Sequence, residues 1–162
     1  MAEGRTRLTA LERLKVQAQV LVPLVKHLER ELGKAEAHRL VRGGLSEHIR
    51  SEAGRRGWAD NPRQGMTGEG LEQAYGDALV VEVTAETDEE FTFDVRHCEF
   101  AEFYRKLGEP ELGFLLVCST DYDVAEHVPG LELERSQTIM EGADHCDFRW
   151  RFLDRLGDQQ KG

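Results

Sequence analysis

Apolar residues recur at helical intervals through Leu11, Leu14, Ala18, Leu21, Val22, Val25, Leu28 and Leu32, and Thr9 with Glu12 has the spacing of a capping box. The pattern predicts an amphipathic helix ending near Gly33. Pro23 lies inside it and removes one backbone donor, so a kink or a split is expected there. Ala37, Leu40, Val41, Leu45, Ile49 and Ala53 form one stripe of a second helix over 35–53. Gly43-Gly44 in its middle costs about 1 kcal/mol per residue relative to Ala, and close packing of another backbone is the expected return. The period then changes to two. Segments 78–84 and 91–97 read as a hairpin, with Phe91, Phe93 and Val95 on one face and Thr92, Asp94 and Arg96 on the other. A short helix carries Phe100, Phe103, Tyr104 and Leu107 and stops at Gly108. Pro110 opens a further helix running to about residue 126. Strands over 131–140 and 146–153 close the pattern.

This order predicts an α+β domain: N-terminal helices packed on a twisted antiparallel sheet of about four strands, with two further helices inserted between the hairpins. One domain is expected over 1–162, made of a helical region (1–56), a glycine-rich loop (57–77) and a sheet and cysteine-bearing region (78–156), with a polar, frayed tail after Leu156. In the loop, Trp58, Met66 and Tyr75 are the residues able to cover an apolar ligand; pinning the loop to the body would use them equally well.

Charge narrows the partners. The formal net charge is −10, and the acidic side chains crowd into 98–134, which excludes nucleic acid as a partner of that half. No apolar run is long enough for a membrane span. The N-terminus has no signal-peptide pattern, and an odd set of 3 cysteines does not suggest a disulfide framework, so a reducing cytoplasm is expected. A small-molecule ligand fits this chain best, and a homodimer stays open.

The candidate chemistry gathers at Cys98, Cys118 and Cys146. Cys98 and Cys146 each follow a histidine (His97, His145) and precede an acid (Glu99, Asp147). At a helix start, Cys98 is expected to favour the thiolate. If the three sulfurs meet, zinc with an open position for water is one reading. An iron–sulfur cluster with His97, His145 or Asp147 as a fourth ligand is a second. A metal-free cysteine nucleophile ranks third, because sequence neighbours on a strand point to opposite faces. Three buried structural thiols are the plain alternative. Arg96, Arg149 and Arg151 lie on polar strand faces, where an arginine clamps a ligand carboxylate or pairs with Asp94 or Asp147. Glu102, Asp121 and Asp123 are candidate proton carriers.

The wording Cys98-Glu-Phe-Ala-Glu-Phe-Tyr-Arg-Lys-Leu-Gly-Glu-Pro-Glu-Leu-Gly-Phe-Leu-Leu-Val-Cys118-Ser, followed by Gly130-Leu-Glu-Leu-Glu-Arg-Ser-Gln-Thr-Ile-Met-Glu-Gly-Ala-Asp-His-Cys-Asp-Phe-Arg149, resembles the L-2-amino-thiazoline-4-carboxylic acid hydrolase family. More distantly it is similar to 4-vinyl reductase-like small-ligand-binding domains. The resemblance implies a hydrolase acting on a carbon–nitrogen bond of a cyclic amidine, opening 2-aminothiazoline-4-carboxylate to a carbamoyl-cysteine. It implies motif positions at Cys98, Glu102, Tyr104, Cys118, His145, Cys146, Asp147 and Arg149. On this reading His145, Asp147, Glu102 and Tyr104 are catalytic, Arg149 and Arg96 hold substrate, and the three cysteines hold a metal centre, zinc or iron–sulfur. The competing class is a cluster-binding or small-ligand module that senses, carries or desulfurises without hydrolysis.

Overall fold

The computed structural model describes residues 7–58 and 60–153; the expected frayed tail lies outside them. Helix α1 spans Ala10–Leu32 and α2 spans Lys34–Arg56. The capping box at Thr9 forms as expected, the hydroxyl accepting from Glu12 N while the Glu12 carboxylate accepts from Thr9 N. Leu14, Ala18, Val22 and Val25 are the buried stripe of α1. Pro23 neither ends nor divides the helix, since losing one donor from a 23-residue helix leaves its packed stripe intact. Gly43 and Gly44 overturn a second expectation: α2 runs through both, and a Cβ at either would meet nothing within 4 Å. No neighbour approaches there.

The glycine-rich loop is more ordered than its composition suggests. It contains α3, Gly68–Tyr75, whose first turn is capped by the Thr67 hydroxyl accepting from Gly70 N at 2.9 Å. Strands β1 (Leu79–Glu86) and β2 (Glu90–Cys98) form the first hairpin. Helix α4, Glu99–Lys106, follows directly, and α5, Pro110–Gly113, passes into a π-helical turn over Phe114–Cys118 and then into α6, Thr120–His127. The wide turn is closed by Ser119 N donating to Phe114 O at 2.8 Å. Strands β3 (Leu131–Glu134) and β4 (Cys146–Phe152) complete a four-stranded antiparallel sheet ordered β1-β2-β4-β3. β3 is shorter than the expected 131–140. After Glu134, the Ser136 and Gln137 amides donate to the Asp147 carboxylate at 2.9 Å each, so the chain leaves the ladder.

Pairing register sorts the sheet into two faces. Phe91 opposite Trp150, Phe93 opposite Phe148 and Val95 opposite Cys146 lie on one face, against the helices. Thr92 opposite Arg149 and Asp94 opposite Asp147 lie on the other. Helix α5 comes very close to α4: a Cβ on Gly113 would stand 2.7 Å from the Tyr104 ring and 2.5 Å from Met140 Sδ. That contact seats the π turn above the sheet.

Candidate functional site

Between the inner sheet face and the helices lies a cavity of about 490 Å³. Phe91, Phe93, Phe148 and Trp150 form its floor, and Phe93 and Phe148 stack with centroids 4.7 Å apart. Trp58, Met66 and Tyr75 from the glycine-rich segment close one side. The helical wall comes from Val117, Cys118, Asp121, Val124 and Val128, spaced by one, three or four residues along the π turn and α6. All three cysteines line this cavity, and each sulfur lies close enough to influence the charge of the others.

The sulfurs are nevertheless neutral thiols. Burial raises Cys98, although its Sγ accepts from Ala101 N at 3.4 Å at the start of α4, so the expected helix-start thiolate is overturned by desolvation. Burial also pushes Cys146 up to about 11, against a bond from Ile139 N to its Sγ at 3.2 Å. Cys118 is raised furthest, first by burial and then by the negative charge of Asp121. Among the described residues, the groups of three ligating side chains whose donor atoms fall within 4.8 Å of one another are His97-Glu99-Glu102 and Asp123-Glu126-His127; the cysteine trio is not one of them. A single zinc ion, with sulfur ligands about 2.3 Å away, would need the three sulfurs nearer together than that. The first of those groups is a partly exposed ion-paired cluster, and in the second Asp123 is bonded by Arg42 and His127 by Ser46.

The charged heart of the cavity is Arg135 with Asp121. Arg135 follows β3, and its side chain is 1% exposed. Nη1 donates to Asp121 Oδ2 at 2.6 Å and Nη2 to Cys118 O at 2.9 Å. Its Cζ lies 4.8 Å from the Tyr122 ring centroid and 4.9 Å from that of Phe148, which places the guanidinium against two aromatic faces. Asp121 lies deep in the fold, yet 33% of its side chain is accessible, and as a lining residue it meets the cavity's own space. Burial pushes its carboxyl up to about 6, despite Arg135 beside it.

The other sequence candidates fall elsewhere. Arg149 donates to Asp94 Oδ1 at 2.9 Å and to Phe93 O and Phe148 O, while Arg96 pairs with Asp94 and Glu82. Strand alternation puts both arginines on the outer face, so neither lines the cavity. Asp147 anchors the turn after β3; burial opposes its charge, but bonds from Ser136 and Gln137 hold it below the usual carboxylate range. His145 is engaged with Asp144 and Gln137 near the surface, and Glu102 faces His97 and Lys106. Tyr104 is buried under Gly113, outside the cavity lining. Arg135 was missed, although it has the parity of Leu131 and Leu133, which should have marked it as an inward-facing cation. Asp121 shared its candidacy with Asp123; the Val117, Val124, Val128 stripe separates them.

The profile of the L-2-amino-thiazoline-4-carboxylic acid hydrolase family matches residues 13–150. No curated protein matches the chain.

Proposed function

The chain belongs to the L-2-amino-thiazoline-4-carboxylic acid hydrolase family, and on that premise we propose that it opens a cyclic amidine such as 2-aminothiazoline-4-carboxylate to a carbamoyl-cysteine within the aromatic cavity. The observation that carries this reading is Asp121, a cavity-lining carboxyl with a pKa of about 6. A base poised near neutrality is what activation of water requires. The water oxygen bonds to the amidine carbon as Asp121 accepts a proton. The carbon–nitrogen double bond gives its electron pair to the ring nitrogen, and the resulting adduct collapses with cleavage of the ring carbon–nitrogen bond. Both protons of the water end on the departing nitrogen, so the step balances with one water consumed. Arg135 holds Asp121 in place, and the aromatic walls exclude competing solvent.

Incubation of the full chain with 2-aminothiazoline-4-carboxylate, followed by chromatography for carbamoyl-cysteine, tests this. Turnover that disappears in Asp121→Asn is expected. Absence of turnover from both the protein as isolated and protein supplied anaerobically with zinc or iron and sulfide would sink the proposal.

A second reading has its own support. Three thiols line one cavity, and two of them already accept backbone N–H bonds of the kind that steady cluster thiolates. Cys98, Cys118 and Cys146 would hold an iron–sulfur cluster, whose several metal atoms tolerate wider sulfur spacing than one zinc ion, and would lose their protons to it. Such a cluster would supply an open iron for ligand binding or sulfur removal. Anaerobic reconstitution giving a brown protein that absorbs near roughly 400 nm supports it; a colourless protein without bound iron sinks it.

A further inference from the structure

We propose that Arg135 is the receptor for a ligand carboxylate, taken through its free Nε–H, and that the cavity therefore selects small, flat monoanions. The inference deepens the hydrolase reading and shares its cavity. Its basis is a hydrogen-bond account of one side chain. Nη1 and Nη2 each have a partner, Asp121 and Cys118 O, whereas Nε is the one buried side-chain polar atom among the described residues that has none. A buried cationic donor left unpaired is costly, and folds avoid the situation unless something else supplies the acceptor. No rotation relieves it here. The guanidinium is held against Tyr122 and Phe148, the Tyr122 hydroxyl donates to Arg135 O at 3.0 Å, and the next two residues are tied to Asp147.

Charge points the same way. Of the residues lining the cavity, the ionised ones at neutral pH are Arg56, Arg135 and Asp121, two cations against one anion, so the wall is net positive by one in a protein of net charge −10. Arg56 lies 5.4 Å from the Trp58 ring centroid on the same lining. An incoming monoanion makes the site neutral. The remaining wall is aromatic and aliphatic, suited to the faces of a planar ring. A carboxylate oxygen on Nε–H receives a charge-assisted bond that a carboxamide or an unsubstituted ring cannot replace.

The test measures binding without turnover, so it can fail independently of hydrolysis. The probes are 2-aminothiazole-4-carboxylate, an aromatic analogue that resists ring opening, and 2-aminothiazole, which lacks the carboxylate. Both are titrated by calorimetry into the full chain. The carboxylate is expected to bind about tenfold or more tightly than the neutral ring. Arg135→Gln is expected to erase that preference, and Arg135→Lys to lose most of it, because a point charge does not reproduce the fixed N–H. If these variants misfold, the wild-type chain labelled with 15N-arginine decides: one Nε–H resonance must move with the carboxylate and stay with the neutral ring. Equal affinity for both probes, binding of neither, or a folded Arg135→Gln that keeps the preference overturns the proposal. Carboxylate-selective binding without hydrolysis would remove the hydrolase reading and leave this one standing.

Discussion

Two arginine–aspartate arrangements lie on opposite sides of one sheet, built from the same residue types and differently completed. On the outer face Asp94 receives Arg149 and Arg96, and Arg149 spends its other contacts on two backbone carbonyls. On the inner face Asp121 meets only part of Arg135, and the buried Nε is left without a partner. The outer set is internally satisfied and partly solvated, so it fastens strands together. The inner set is incomplete and walled by aromatic rings, which leaves it capable of recognising something. Residue type did not distinguish them; the count of unpaired donors did.

The two faces should differ most at Asp121. Replacing it by Asn should lower ring-opening turnover about a hundredfold or more, measured as product formed at saturating substrate. The matching change outside, Asp94→Asn, should leave turnover within about twofold and cost roughly 1 kcal/mol in a urea melt. Between these falls Gly113→Ala. Its new methyl meets Tyr104 and Met140, so a loss of about 1–3 kcal/mol is expected, with activity reduced as the π turn lifts off the sheet. The two sides should also differ in pH response. Burial lifts Asp121 to about 6 from its ordinary 3.8, so between those values the folded chain keeps a proton that the unfolded chain has released. Its contribution to stability is present below about pH 4 and lost as pH rises through 6, while turnover that needs the carboxylate base rises through the same range. Thermal melts and kcat/KM profiles should therefore run in opposite directions, and Asp121→Asn should flatten both. The smallest effect belongs to Gly43→Ala and Gly44→Ala, each expected to stabilise by about 0.5–1 kcal/mol, because nothing fills the space beside them.

Periodicity carried most of the fold. The 3.6-residue stripes found the long helices and the two-residue alternation found both hairpins, because burial on one face leaves that signature directly in the residues. It failed where a single side chain outweighed pattern. Asp147 captures two amides and ends β3 early, and Thr67 caps a helix through a segment whose glycines suggested none. No split occurs at Pro23, where packing at other positions carries the helix across, and the Gly43-Gly44 pair lies within its predicted helix without the close contact expected there. In the site, Cys98, Cys118 and Cys146 were legible as unusual residues, and all three face the cavity. Their protonation was not legible, because it depends on how much surrounding chain excludes water. Arg149 and Arg96 have the polar parity of their strands and Arg135 that of Leu131 and Leu133, and the sheet register sets the two kinds on opposite faces.

The widened turn at Phe114–Cys118 holds one residue more than an α-helical path would need. Wound as a regular α-helix, the same residues would turn everything downstream by about 100°. Asp121 would swing off the cavity wall, and Asp123 would part from Arg42 on α2. The chain thus carries a phase adjuster at this point, and a change that straightened the turn would carry the Asp121 carboxylate off the cavity wall without altering that residue.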